Sequence, residues 1–214
     1  MNVVIVGGHG KIGLRVVKLL AERGDSPRGI IRKTEQAHDL EEIGAEPIVL
    51  DIENVDDISD ALAGADAVVF AAGAGPGSGP ARKRTVDYGG AVKLAEGCIT
   101  KGIRRYVMVS SIGSNRPESW SDQMRPYQEA KAEADKFVME AGLDYTIIRP
   151  GGLTDGPGTG HVQIAERVEY GTVTVTRDDV AAVIAECLVA DNTIGKAFDL
   201  LNDGTPISEA IRAL

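Results

Sequence analysis

A glycine-rich turn close to the N-terminus has the spacing of a phosphate-binding site. Residues 3–13 read Val-Val-Ile-Val-Gly-Gly-His-Gly-Lys-Ile-Gly, so that Gly7, Gly10 and Gly13 follow an apolar run and open an amphipathic one. In such a unit the first glycine forms the turn, the second lets the backbone approach a pyrophosphate, and the third lets the helix pack on the strand. The unpaired N–H groups and the helix dipole then face the anion. The pattern predicts dinucleotide binding, with a glycine turn needed only for packing as the alternative.

Three other residues of this turn are candidates for contact with the same ligand. His9, Lys11 and Ile12 lie between the glycines. The His9 ring either touches the ligand or faces solvent, and Lys11 either helps to neutralise phosphate or is simply solvated. Since His38 and His161 have no matching ligand cluster either, no metal site is predicted.

Residues after the second and third predicted strands indicate which dinucleotide is bound. NAD-selective proteins usually have an acidic residue after the second strand, which binds the ribose 2′-hydroxyl. This chain has Arg32 and Lys33 instead, and a guanidinium with a neighbouring ammonium matches a 2′-phosphate. We therefore expect NADP(H), with NAD(H) as the less favoured cofactor and an ordinary solvated loop as the alternative. Asp51, followed by Ile52, either contacts the adenine or caps the next helix.

A tyrosine and a lysine further along the chain are spaced for proton transfer. Tyr127 and Lys131 are four residues apart and therefore share one face of a predicted helix. An ammonium near a phenol stabilises the phenolate, so the tyrosine can exchange a proton with a carbonyl or alcohol oxygen while hydride moves to or from a nicotinamide. Ser110 and Ser111 end the preceding predicted strand, where a hydroxyl can hold the substrate oxygen beside the tyrosine.

The elements that must position these residues alternate along the chain. Strands are predicted at 2–6, 28–32, 46–50, 66–71, 104–110 and 144–149, with a half-exposed edge strand at 172–176 and a further strand near 196–201. Helices are predicted at 11–23, 35–43, 55–63, 82–101, 126–141 and 178–190. The strands are nearly continuous apolar runs, which is typical of a parallel sheet covered on both faces.

This alternation predicts the fold class and the domain organisation. We expect an α/β Rossmann fold, with a doubly wound, mostly parallel sheet and helices on both faces. The prediction is one domain over residues 1–214, with a small substrate-side portion from about 151 to 214. The glycine-rich loop 73–81 either borders the ligand or only connects elements. Loop 114–125 is either a substrate lid or a connector that Trp120 anchors.

Composition limits the partners and the compartment. A formal net charge of −9 over 214 residues disfavours nucleic acid and anionic membranes. Cys98 and Cys187 lie in apolar helical contexts, so we expect buried thiols, which fit a reducing cytoplasm. No run approaches the roughly 18 apolar residues of a membrane helix, and no secretory signal is evident. The predicted helices 82–101 and 126–141 are candidates for a homodimer face.

Five segments together resemble a known family. They are Val6–Gly13, Val86–Tyr88, Val109–Ser111, Tyr127 with Lys131, and Ile148–Gly151. On these segments the chain resembles the atypical short-chain dehydrogenase/reductase superfamily, in its NAD(P)-binding, NmrA-like or sugar-epimerase-like branch, over essentially its whole length. Two departures are that Val6 stands where many relatives have Ser or Thr, and that only 64 residues follow Pro150.

The resemblance implies roles for individual residues. It makes Ser111 the substrate-polarising hydroxyl, with Ser110 as its substitute, Tyr127 the acid/base, and Lys131 the ribose-binding partner of the tyrosine. It also implies a set of segments beside the cofactor. These are Ala71, Ala72 and Gly73, the backbone of Pro150 and Gly151, and Asp87, which would open or brace the facing helix.

The sequence thus favours an NADP(H)-dependent oxidoreductase that acts on a small carbonyl, alcohol or conjugated acceptor. Two alternatives remain. One is a non-catalytic NADP-binding redox sensor that docks a partner protein, as the NmrA-like resemblance allows. The other is a nucleotide-sugar epimerase, which the short segment after Pro150 disfavours because it leaves little protein to hold the sugar.

Overall fold

The computed structural model describes residues 1–75, 77–168 and 174–214. Its strands are β1 (Asn2–Val6), β2 (Ser26–Ile31), β3 (Glu46–Val49), β4 (Ala67–Phe70), β5 (Arg105–Val109), β6 (Asp144–Pro150), β7 (Gly152–Thr154), β8 (His161–Ala165), β9 (Thr174–Thr176), β10 (Lys196–Asn202) and β11 (Thr205–Pro206). Its helices are α1 (Lys11–Glu22), α2 (Ala37–Glu42), the single turn α3 (Pro80–Arg82), α4 (Gly89–Lys101), α5 (Arg125–Glu140), α6 (Arg177–Cys187) and α7 (Ile207–Arg212). A π-helical segment, Lys83–Tyr88, joins α3 to α4.

Within the described ranges, the main sheet has nine strands in the order β11-β8-β10-β6-β5-β4-β1-β2-β3. The run from β10 to β3 is parallel, whereas β8 pairs antiparallel with β10 and β11. The strand order reverses between β1 and β4, and ligands of such sheets bind at the carboxyl ends of the strands at that reversal. The predicted doubly wound, mostly parallel α/β fold is therefore confirmed.

Two hydrophobic cores lie on the two faces of this sheet. Successive residues of β1 point to opposite faces, so Val3 and Ile5 pack with α1, α6 and α7, while Val4 and Val6 pack with α4 and α5. Cys98 belongs to the core beside α4 and Cys187 to the core beside α6. Both thiols are buried, and burial raises the pKa of each to about 12.

The predicted helix at 55–63 is wrong. The structure has only a 3₁₀ turn there, Ser59–Leu62. The carboxylate of Asp57 accepts hydrogen bonds from the backbone N–H of Ser59 at 2.8 Å and from its hydroxyl at 2.9 Å. Such local bonds compete with helix formation, and the apolar spacing of Ile58 and Leu62 serves core packing instead.

Other elements differ from the predictions in extent or were not predicted. The predicted helix 82–101 is divided into α3, the π-helical segment and α4. Residues 172 and 173 of the predicted edge strand lie outside the described residues, and the rest is β9, which pairs with β7 in a separate two-stranded sheet. The strands β7, β8 and β11 and the helix α7 were not predicted; all four are short and lie after Pro150.

Among the described residues, the helices are all too short or too polar to cross a lipid bilayer.

Candidate active site

The glycine turn between β1 and α1 is held by contacts that leave no room for side chains. Gly7 has a φ of +85°, and a Cβ there would lie 2.8 Å from the Cα of Ala72. A Cβ on Gly13 would lie 2.1 Å from the carbonyl oxygen of Gly7. The backbone N–H of Gly10 donates to that same oxygen at 2.8 Å. The start of α1 is thus pressed against the end of β1, which aims its first N–H groups at the carboxyl edge of the sheet.

A second close approach, which the sequence analysis missed, ties this turn to β2. A Cβ on Gly8 would lie 2.7 Å from the Cα of Gly29, and the Gly8 N–H donates to the carbonyl of Ile30 at 3.0 Å. A glycine inside a strand often marks a close backbone approach, so Gly29 was the available signal. The contact fixes the distance between the turn and Arg32, two residues beyond Ile30.

A cavity of about 200 Å³ lies at the carboxyl ends of β1 to β4, and we name it the Arg32 cavity. Its walls include nine of the predicted cofactor-binding residues: Gly7, His9, Gly10, Arg32, Asp51, Ile52, Ala71, Ala72 and Gly73. Lys33 is exposed and does not line it. Of the two predicted cations, the structure brings only Arg32 to the cavity wall.

Charges in the Arg32 cavity are partly balanced by the protein itself. Arg82 donates to Glu53 at 2.7 and 3.0 Å, and these bonds hold the pKa of that carboxyl below its usual value. Among the described residues, no carboxylate forms an ion pair with Arg32. Among the described residues at the wall of this cavity, Arg32 is therefore the cation that remains available to an anionic ligand.

Two residues predicted to contact the ligand also have partners of their own. His9 Nε2 lies 2.5 Å from Asp39 Oδ2, and its Nδ1 lies 3.1 Å from the side-chain nitrogen of Gln36. Gln36 also accepts from the backbone N–H of Arg32 at 3.2 Å. Asp51 accepts from the N–H of Glu53 at 3.1 Å, a turn contact that leaves its carboxylate at the cavity wall.

A larger cavity, of about 710 Å³, lies on the other side of the glycine turn, and we name it the Tyr127 cavity. It shares Gly10, Ala71, Ala72 and Gly73 with the Arg32 cavity, so the two are adjacent parts of one cleft. Its other predicted site residues are Lys11, Ile12, Asp87, Ser110, Tyr127 and Lys131. The glycine turn and the tyrosine–lysine pair, more than 100 residues apart in sequence, therefore meet across one space.

The structure distinguishes the two candidate serines. Ser110 lines the Tyr127 cavity, whereas Ser111 does not and instead lies with its hydroxyl 3.4 Å from the side-chain nitrogen of Gln128. Pro150 and Gly151 line neither cavity. The carbonyl of Pro150 accepts from Ile112, and the N–H of Gly151 donates to Leu200, each at 3.0 Å. These two backbone groups therefore already have hydrogen-bond partners within the protein.

Lys131 is buried and held on two sides. Its Nζ donates to the carbonyl of Val109 at 3.1 Å and lies 3.4 Å from Oδ1 of Asp87, which is 1 % exposed. The other oxygen of Asp87 accepts from the N–H of Ala74 at 3.2 Å. Lys131 Nζ also lies 5.9 Å from the centre of the Tyr127 ring. Asp87 thus balances the buried ammonium beside the tyrosine and ties it to the loop after β4.

Three further cations lie at the wall of the Tyr127 cavity. Lys11 and Arg177 both bind Asp155, at 2.6 and 2.8 Å. Lys83, on the π-helical segment, has its Nζ 5.2 Å from the centre of the Tyr127 ring. Two of these cations therefore share one carboxylate, and the third lies against the candidate acid/base.

The interior of the protein also holds buried ion pairs that were not predicted from the sequence. Arg116 binds Asp199 of β10, and both are almost completely buried. Arg149 donates to Asp135 at 2.9 Å, also in the interior. Burial raises the pKa of both carboxyls, although the guanidinium groups oppose that rise. Arg116 and Asp199 are 83 positions apart, so no local pattern pairs them.

Loop 114–125 combines features of both of its predicted alternatives. Arg116 anchors its beginning to β10, and the indole N–H of Trp120 donates to the carbonyl of Gly113 at 2.7 Å. Its end is different, because Gln123 and Met124 line the Tyr127 cavity.

In the described part of the chain, no cluster of three or more His, Cys, Asp or Glu side chains is arranged to hold a metal ion.

Comparison with known proteins agrees with this geometry. A family model described as NAD(P)H-binding matches residues 7–191. A Bacillus subtilis protein named as an uncharacterized sugar epimerase, YhfK, is 42% identical over the whole of both chains.

Solved structures resemble the chain over nearly its full length. One, named as a putative NAD-dependent epimerase/dehydratase from Bacillus halodurans, is 40% identical over the whole of both chains, with a TM-score of 0.96. An oxidoreductase from Lactococcus lactis is 32% identical, with a TM-score of 0.88 over 100% of this chain and 96% of that one. The cleft lies at the strand-order reversal and is walled by the glycine turn, which agrees with the family match over residues 7–191. The chain therefore belongs to the NAD(P)H-binding family, as its resemblance to atypical short-chain dehydrogenases predicts.

Proposed function

We propose that the protein is an NADP(H)-dependent oxidoreductase that reduces a small carbonyl compound or conjugated acceptor, or oxidises the corresponding alcohol. One observation carries the proposal: Tyr127 and the buried Lys131 line the same cavity as the glycine turn. The oxidoreductase of Lactococcus lactis, similar over the whole of this chain, supports the same class of reaction.

The cleft fits the cofactor. A Cβ at Gly7 or Gly13 would collide with backbone, so the turn keeps open the space in which a pyrophosphate approaches the N–H groups of α1. Arg32, at the wall of the Arg32 cavity and without a carboxylate partner among the described residues, supports binding of the 2′-phosphate. When bound, NADPH supplies hydride from its nicotinamide ring.

The residues of the Tyr127 cavity supply the proton. Tyr127 donates its phenolic proton to the carbonyl oxygen as hydride reaches the carbonyl carbon, so that an alcohol forms and the cofactor is left oxidised. Lys131 stabilises the phenolate that remains, and Asp87 keeps that ammonium in position. Ser110 is better situated than Ser111 to donate a hydrogen bond to the same oxygen, because it lines the cavity.

The test is NADPH oxidation with a panel of aldehydes, ketones and quinones. For a carbonyl substrate, Tyr127→Phe is expected to lower kcat by about 10²–10⁴-fold while the Kd for NADPH stays within a factor of two or so, because the ring and its contacts remain. Tyr145→Phe is the matched control, since Tyr145 lies outside both cavities. Unchanged turnover in Tyr127→Phe would remove the tyrosine from the mechanism.

A nucleotide-sugar epimerase is the second candidate, because two similar proteins carry epimerase names. An epimerase returns its hydride to the substrate and therefore consumes no NADPH overall. Nuclear magnetic resonance of UDP-hexoses incubated with the protein and NAD(P)⁺ distinguishes the two reactions. Inversion at a sugar carbon without net cofactor turnover would select the epimerase.

A further inference from the structure

We infer that the substrate accepted in the Tyr127 cavity carries a carboxylate and that Lys83 binds it. This inference rests on the proposed function, which it deepens by naming a substrate class. The compounds expected are aldehyde acids, keto acids or conjugated acceptors with an acidic side chain. Neutral analogues of the same shape are expected to bind less well.

The charge of the cavity differs from that of the whole protein. Although the chain carries a net charge of −9, the described residues that line the Tyr127 cavity include Lys11, Lys83, Lys131 and Arg177 against the single carboxylate of Asp87. A cleft lined by one sign of charge concentrates ligands of the opposite sign. The cavity therefore favours anions in a protein that otherwise repels them.

Three of these cations already form ion pairs with carboxylates of the protein. Lys131 faces Asp87, and Lys11 and Arg177 share Asp155. Lys11 also lies in the glycine turn, where the phosphates of the cofactor would meet it. Lys83 differs from them because no carboxylate among the described residues forms an ion pair with it.

Lys83 is also in the right place for a substrate group. Its Nζ lies 5.2 Å from the centre of the Tyr127 ring and that of Lys131 lies 5.9 Å from it, so the ring of the candidate acid has two ammonium neighbours. Lys131 is fixed by the Val109 carbonyl and by Asp87. Lys83 is half-buried and has a flexible stem, so it can reach a carboxylate a few bonds from the carbonyl that Tyr127 protonates.

The neighbouring residue provides a matched control. Arg84 follows Lys83 on the π-helical segment, but its guanidinium binds Glu133 and lies 4.0 Å from the centre of the Tyr88 ring. Arg84 is exposed and does not line the Tyr127 cavity. The variants Lys83→Met and Arg84→Met each remove one positive charge from the same segment, but only the first removes it from the cavity.

The test compares para-carboxybenzaldehyde with its methyl ester, and levulinate with its methyl ester. Binding of each to the NADP⁺-loaded protein is measured by calorimetry, and reduction is measured separately with NADPH. We expect the wild type to bind each acid about 10-fold or more tightly than its ester, as a charge-assisted hydrogen bond in a partly buried site provides. Lys83→Met is expected to lose that preference and Arg84→Met to keep it.

Each outcome decides the inference. Equal affinity for acid and ester in the wild type, or no binding of either, overturns it, and so does a preference that survives Lys83→Met. A weaker Kd for NADPH in Lys83→Met would assign Lys83 to the cofactor and also overturn it. A Lys83-dependent acid preference without any turnover would support the carboxylate site while contradicting the proposed oxidoreductase activity, so the two proposals fail separately.

Discussion

The Arg32 cavity and the Tyr127 cavity are adjacent parts of one cleft, but the chain builds them differently. The residues that wall the Arg32 cavity all come from the segment from Val6 to Val86, and many of them lie in turns or at strand ends. The Tyr127 cavity draws on residues from Gly10 to Arg177. One cavity therefore depends on local backbone geometry, and the other depends on contacts between distant segments.

Buried charge is the second difference. Around the Tyr127 cavity, Lys131 with Asp87, Arg149 with Asp135 and Arg116 with Asp199 form ion pairs in the interior. Around the Arg32 cavity, the pair of Arg82 and Glu53 is partly exposed. Breaking a buried pair leaves an uncompensated charge, which costs far more than breaking an exposed one. The Tyr127 side should therefore be the more sensitive to single substitutions.

The largest effect is expected at the buried pair of Arg116, in loop 114–125, with Asp199. Arg116→Met leaves the carboxylate of Asp199 in the interior without its guanidinium, and should lower the free energy of unfolding by about 3–5 kcal/mol. Arg167→Met, which breaks the exposed pair with Glu118 at 3.8 Å, should cost less than about 1 kcal/mol. Urea unfolding of both variants gives the comparison. Similar losses would contradict the contrast between buried and exposed pairs.

The next effect concerns the glycine turn that both cavities need. Gly13→Ala puts a Cβ 2.1 Å from the Gly7 carbonyl oxygen, so α1 must move away from β1. Strain of this kind costs about 1–3 kcal/mol, and we expect NADPH affinity to fall about 10–100-fold. Calorimetric titration with NADPH measures it. Gly204→Ala, in open space, is the control, and equal affinities in the two variants would exclude the proposed contact.

A smaller and more selective effect is expected in the Arg32 cavity. Arg32→Ser should weaken NADP⁺ binding about 10-fold, the equivalent of one charge-assisted contact of about 1.4 kcal/mol. NAD⁺, which lacks the 2′-phosphate, should bind nearly as well as before. Lys33→Ser should change either affinity little, because Lys33 does not line the cavity. If Arg32→Ser weakened both cofactors equally, Arg32 would not be the 2′-phosphate ligand.

The smallest effect is a pH dependence at Asp179, at the start of α6. Burial alone would raise the pKa of Asp179, but hydrogen bonds from the backbone of Thr159 and Gly160 and from Asn202 outweigh it and hold the pKa below its usual value. A depressed carboxyl pKa stabilises the fold above the unfolded value of about 3.9, and this stability is lost as pH falls through the folded value.

Asp179→Asn should therefore lower the free energy of unfolding at neutral pH and converge with the wild type in acid. Urea unfolding of both proteins at pH values from neutral to about 2 measures the difference. A gap that stayed constant over this range would assign the effect to lost hydrogen-bond geometry and not to the charge.

The predictability of the cleft from sequence follows the same division. The glycine turn, Arg32 and the alternation of strands with helices were predicted because each depends on residues close together in the chain. Tyr127 and Lys131 were predicted because four-residue spacing places them on one helical face. Asp87, whose carboxylate balances the charge of Lys131, lies on a different helical segment. The spacing of residues gave no sign of this pairing, and only the family resemblance pointed to Asp87.

Other features could not be found from local patterns. The pairing of Arg116 with Asp199 requires β10 to lie beside the beginning of loop 114–125, which only the folded sheet specifies. The choice of Ser110 over Ser111 depends on which of two neighbouring hydroxyls faces the cleft at a strand end, where the alternation of side chains stops. The false helix at 55–63 arose because apolar spacing does not reveal the bonds of Asp57 to Ser59.

The π-helical segment Lys83–Tyr88 contributes side chains to the walls of both cavities, and its number of residues per turn decides which side chain faces which cavity. Arg82, just before it, and Val86 wall the Arg32 cavity, whereas Lys83 and Asp87 wall the Tyr127 cavity. A π-turn contains one residue more than an α-turn. One inserted residue therefore sets which side chain of this segment faces which ligand.

This winding makes the spacing of the segment as important as its composition. Deletion of the exposed Thr85 is expected to convert the π-helical segment into regular α-helix, and Arg82 and Lys83 would rotate by about 100° relative to α4. Arg82 and Lys83 would leave their cavities together, while Asp87 and the helix behind it stayed in place. Cofactor and substrate selectivity would then change together after the loss of one residue, although Arg32, Lys83 and Tyr127 were all still present.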